Sequence, residues 1–71
     1  MGKNLTDLSY DELIVLRNSL GEYAISLRME DGKAFSETVL LTGDFSERRK
    51  NTYRIAMSLK TVVERHISNC Q

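Results

Sequence analysis

The chain has no proline and no tryptophan, and its 71 residues include one cysteine, one histidine and four glycines. Each scarcity excludes something. A lone cysteine, Cys70, cannot close an internal disulfide. Together with the lone histidine, His66, it falls short of the four nitrogen or sulfur ligands of a structural zinc site. No glycine-rich phosphate loop is present, and no metal or cofactor is expected. Without a long apolar run the chain is expected neither to cross a membrane nor to carry a secretory leader, so the cytoplasm is the default location. Net charge is formally zero, which removes the broad positive field of a duplex-DNA binder. With 41% hydrophobic and 28% charged residues the chain is globular rather than disordered. A domain this short buries only about 60% of the surface of its unfolded chain. With neither disulfide nor metal to brace it, self-association is the remaining common remedy.

Because proline is absent, nothing interrupts the stretch from Asp44 to about Ser68, which reads as one amphipathic helix. At about 100° per residue, Phe45, Thr52, Ala56, Leu59, Val63 and Ile67 form one stripe, flanked by Ile55, Val62 and His66. Asp44 is expected to cap this helix, with Glu47 at its third position.

The first helix is announced by Ser9 as N-cap, Glu12 completing a capping box, and Leu8 with Leu13 as a hydrophobic staple. Leu13, Leu16, Leu20, Ala24 and Leu27 continue at spacings of three and four, so a helix from Tyr10 to about Met29 is expected. Ile14, Ile25 and Met29 make a second apolar strip, expected to serve as an oligomer interface. The expected fold is therefore all-α: a single-domain helical hairpin over residues 1–71, with helices at about 10–29 and 44–68 joined by a turn or short helix at 30–43.

The alternative is α+β with αββα order. Gly21 would then end the first helix, residues 23–30 would alternate at the strand period of two, Asp31-Gly32 would turn a hairpin, and residues 35–41 would return. The helical reading is preferred because Leu20, Ala24 and Leu27 keep the phase set by Leu13 and Leu16, and because two strands alone make a marginal sheet.

Chemistry-bearing residues are sparse. Cys70 stands near a chain end without the shielded electropositive setting of a catalytic thiol, and His66 fits a partly buried position close to a helix C-terminus. Asp7, Asp11 and Glu12 are ordinary partners of a helix N-terminus. Gly2 with Thr6 matches an acylation pattern and Asn4-Leu5-Thr6 a glycosylation acceptor, both short enough to arise by chance. No enzymatic activity is expected. Charge is distributed unevenly, however: residues 1–43 hold four basic and seven acidic groups, and residues 44–71 six basic and three acidic. Arg48, Arg49, Lys50 and Arg54 surround Tyr53 in the first turns of the second helix. Arginine forks with an aromatic face near a helix N-terminus are the chemistry of a nucleotide or single-stranded nucleic-acid site. Solvated charge, with Glu47 paired to Arg54, is the other reading of the same residues.

The pattern LTDLSYDELIVLRNSLGEYAISL followed by DFSERRKNTYRIAMSLKTVVERHIS resembles small helical proteins of bacteriophages in which a capped helix, a loop and a second helix form an oligomerising hairpin. Among these it distantly resembles the anti-CBASS sponge proteins, which sequester cyclic di- and trinucleotide immune signals between subunits. The likeness spans Leu5 to Ser68. It implies a homo-oligomer in a bacterial host, with Arg49, Tyr53 and Arg54, and Tyr10 from the first helix, lining a phosphate- and base-binding pocket at a subunit interface. The competing expectation is an inhibitor or adaptor that docks its apolar helix faces on a host protein.

Overall fold

The computed structural model describes residues 5–69. Gly2, Asn4 and Cys70, on which the acylation, glycosylation and thiol readings rest, lie outside them. After one 3-10 turn at Leu5–Asp7 come α1 (Tyr10–Leu27), β1 (Met29–Glu30), β2 (Lys33–Ala34), the short helix α2 (Glu37–Thr42) and α3 (Glu47–Asn69). The helices α1 and α3 pack along each other as a helical hairpin. They run antiparallel, since Leu13 near the start of α1 clusters with Val63 and Ile67, and Ala24 near its end clusters with Tyr53 and Ala56.

The start of α1 follows the expected chemistry. Glu12 N–H donates to Ser9 Oγ at 3.1 Å, and Ser9 N–H donates to Glu12 Oε1 at 2.9 Å, so two otherwise orphaned amides are satisfied reciprocally. Its end comes at Leu27 rather than Met29. Met29 leaves the helix to pair with Ala34, and Glu30 pairs with Lys33 across a two-residue turn. That turn is of the mirror-image type that suits a hairpin: Asp31 has φ 52° and Gly32 φ 77°. The αββα alternative thus locates the turn correctly but misreads both strands. Residues 22–27 stay helical because Ala24 and Leu27 reach the core on the helical period. The return stretch becomes α2, capped where Val39 N–H donates to Ser36 Oγ at 3.2 Å.

Gly43 stops α2, its N–H donating to Val39 O at 2.8 Å. A Cβ at Gly43 would stand 2.5 Å from Val39 O and 3.0 Å from the Phe45 ring. Asp44 does not cap α3. Ser46 does, its Oγ accepting from Arg49 N–H at 3.2 Å and its carbonyl from Lys50 N–H at 3.1 Å. The cap falls later because Phe45 is drawn out of the helix to pack on Phe35, ring centroids 4.9 Å apart.

The core is in two clusters. Ala24, Leu40, Tyr53 and Ala56 are buried at the α2 end, packed by Leu27, Phe35, Leu41, Phe45 and Met57. Leu13, Val63 and Ile67 are buried at the other end with Leu5, Leu8, Ile14, Leu16 and Leu20 around them. Between the clusters the stem of Lys60 crosses Gly21, its Cε 3.5 Å from where a Cβ would sit. The charged end of that lysine reaches Glu64 at 3.1 Å. This contact corrects the phase of α3. Its buried seam runs Tyr53, Ala56, Lys60, Val63, Ile67, and Leu59, expected inside, is 48% exposed. A long lysine stem can cover apolar surface while its ammonium stays in water, so Lys60 fills a seam position that reads as polar in the sequence.

Candidate functional site

The basic residues expected to form an anion site do not converge. Tyr53, expected as an exposed stacking face, is 2% exposed and belongs to the core. It opens the α3 seam, where a large ring fills the space between α1, α2 and α3. Arg49 is engaged elsewhere as well. Its Nε donates to Leu27 O at 2.9 Å, its Nη2 to Met29 O, and its Nη1 meets Glu30 Oε1 at 3.4 Å. The guanidinium lies 5.2 Å from the centroid of the Phe45 ring and 6.0 Å from that of Phe35. No basic residue stands in the last turn of α1, so Arg49 brings from α3 the cation that the negative end of α1 favours.

Arg48 and Arg54 are exposed, about 120° apart around the α3 axis. Arg54 Nη1 donates to Asn51 Oδ1 at 2.9 Å, and Glu47 reaches Lys50 at 3.8 Å rather than Arg54. Tyr10 is exposed but distant. It opens the 18-residue α1 whose other end Arg49 binds, about 26 Å away along the axis. Within one chain, then, Tyr10 and Arg49 cannot line one pocket. Among the described residues no group of three or more His, Cys, Asp or Glu side chains could hold a metal ion, and no helix is long and apolar enough to cross a membrane.

What does gather is apolar surface. A shallow groove of about 470 Å³ on the outer side of α1 is lined by Leu8, Asp11, Glu12, Val15, Leu16 and Ser19. Its charged walls are acidic, the wrong sign for a phosphate. No family model, curated protein or solved structure matches this chain.

Helix geometry extends the groove into a face. In an antiparallel pair, residues displaced in the same rotational sense from each seam share one side of the hairpin. On α1 the seam is Leu13, Arg17, Leu20, Ala24 and Leu27, and Leu16, Ser19 and Tyr23 stand on one flank. On α3 the same flank holds Thr52, Ile55, Leu59, Val62 and His66. Tyr23 is 50% exposed and Ile55 60%, while Leu16 and Val62 are half-buried. The expected strip of Ile14, Ile25 and Met29 lies apart from this face and does not stay together. Ile14 packs into the Leu13 cluster, and Ile25 and Met29 remain exposed, Met29 off the helix. The sequence signal for the face was the spacing of Ile55, Leu59 and Val62. It was masked because assigning Leu59 to the core rotated the stripe.

Proposed function

We propose that this protein is a non-catalytic binding module, an adaptor or inhibitor that works by laying one apolar side of its helical hairpin on a protein partner. One observation carries the reading: Tyr23, Ile55 and Leu59, each about half exposed or more, share a flank that the other described residues leave open. Contiguous apolar surface on a small soluble domain marks an interaction site. The acidic groove beside Leu16 supports a polypeptide partner over a phosphate-bearing ligand.

Sequestration of a cyclic nucleotide is the rival reading. It retains Arg48, Arg54 and Tyr10, which stand on separate faces and ends of the hairpin, while Tyr53 and Arg49 are committed to the fold. The two readings part on one experiment. Wild-type protein and the Ile55→Glu and Arg54→Ala variants are immobilised, and partner capture and the melting shift with cyclic di- and trinucleotides are measured. The docking reading expects capture that Ile55→Glu abolishes and Arg54→Ala leaves intact, with no nucleotide shift. A shift of about 10 °C or more with a cyclic nucleotide, lost in Arg54→Ala, overturns it.

A further inference from the structure

We infer that the hairpin carries a hinge at its waist, where Gly21 of α1 meets Lys60 of α3, and that the end holding Leu13, Val63 and Ile67 opens there as a unit while the α2 end stays folded. This device belongs to the fold and operates whatever docks on the protein. The molecule is long and narrow, 39 × 21 × 20 Å, and its two core clusters sit at opposite ends of the hairpin. Between them no residue of 14–23 on α1 or 57–62 on α3 is buried. Both helices are weak at this level, for separate reasons. Glycine in a helix interior loses more backbone freedom on folding than any other residue, so α1 parts most readily at Gly21. On α3 the seam position belongs to Lys60, which lays only its stem on Gly21 and keeps its ammonium on Glu64. Cooperative opening stops where few packed contacts cross, and the waist is such a place.

The two ends are held unequally. At the α2 end Arg49 donates to Leu27 O and Met29 O, and Arg28 Nε donates to Phe35 O at 2.8 Å. The Phe35 and Phe45 rings pack together there, and Tyr53, the largest fully buried side chain, is enclosed by α1, α2 and α3. Residues 28–46, which join the long helices, close the same end. At the other end Leu13, Val63 and Ile67 are covered by Leu5 and Leu8, ahead of α1, and by Ile14, Leu16 and Leu20. Separating the helices there leaves the connection and the Arg49 fork untouched. Tyr23 and Ile55 keep their places while Leu16 and Val62 are freed, so the exposed flank of the hairpin has one fixed half and one adjustable half.

Native-state hydrogen exchange of the full chain, read amide by amide by NMR at several low urea concentrations, is the test. The amides of residues 14–19 and 64–68 should share one protection level and one shallow urea dependence, roughly tenfold or more below residues 22–27 and 53–57, which should exchange through global unfolding with a steeper dependence. Leu40→Val, which loosens the α2 end, should lower the protection of the second group roughly fivefold and leave the first unchanged, because the Leu40 cluster is intact both before and after the opening. A smooth rise of protection along both helices, with no step at Gly21 and Lys60, is ordinary end fraying and overturns the hinge. One protection level and one urea slope throughout, or a fall of both groups together in Leu40→Val, makes the hairpin a single cooperative unit and overturns it as well. Lower protection at 22–27 than at 14–19 overturns the choice of end. The wild-type pattern alone decides the matter if Leu40→Val does not fold.

Discussion

Replacing Arg49 by alanine should cost this protein a large part of its stability, and the size of the loss can be worked from its contacts. The guanidinium makes two hydrogen bonds to carbonyls, Leu27 O at the end of α1 and Met29 O in β1. Bonds from a charged donor contribute about 1.5–3 kcal/mol each. The side chain is 22% exposed and one side chain makes both bonds, so the low end applies and together they contribute about 2–3 kcal/mol. Its place over the Phe45 ring adds roughly 0.5–1 kcal/mol. The 3.4 Å pair with Glu30 adds almost nothing, because that carboxylate is 55% exposed. The sum is about 2.5–4 kcal/mol, against a total stability of about 4–11 kcal/mol for a chain of this length. The melting temperature should fall by roughly 10–30 °C. Urea unfolding followed by circular dichroism is the assay, with Arg48→Ala and Arg54→Ala as controls expected within about 0.5 kcal/mol of wild type. Arg49→Lys keeps the charge but not the fork, and should recover less than half of the loss. An Arg49→Ala protein within about 0.5 kcal/mol of wild type would refute the reasoning and return Arg49 to the surface as a candidate ligand contact.

Three further outcomes are expected from the same unfolding assay. Gly21→Ala should stabilise by about 0.5–1 kcal/mol, because the glycine is helical and the new Cβ meets the Lys60 stem at an ordinary 3.5 Å; destabilisation would mean that Lys60 cannot keep its place. Gly43→Ala should destabilise by about 1–3 kcal/mol, since its Cβ would meet Val39 O and the Phe45 ring at contacts too short to keep; an unchanged urea midpoint would contradict that crowding. Leu40→Ala should cost about 2–5 kcal/mol, since Leu40 is fully buried between α2 and the long helices; a loss under about 1 kcal/mol would mean that α2 is not docked as described.

The sequence by itself determined the two long helices, the capping box at Ser9 and Glu12 and the turn at Asp31-Gly32. These depend on local chemistry: side-chain oxygens beside orphaned amides, residues that tolerate positive φ, and apolar spacing that repeats every three or four residues. Only the tertiary structure decided the rest, because each remaining question compared two residues from distant parts of the chain. Lys60 enters the seam because Gly21 on α1 leaves room for its stem, and that contact sets which side of α3 is inside. Tyr53 goes inward because Ala24 and Leu40 offer it a space to fill, and Arg49 is spent on the Leu27 and Met29 carbonyls, 22 and 20 residues away in sequence. A tyrosine among arginines looks the same in a sequence whether it awaits a base or a leucine. Packing chose the leucine here, and by turning α3 to do so it left Ile55 and Leu59 facing outward.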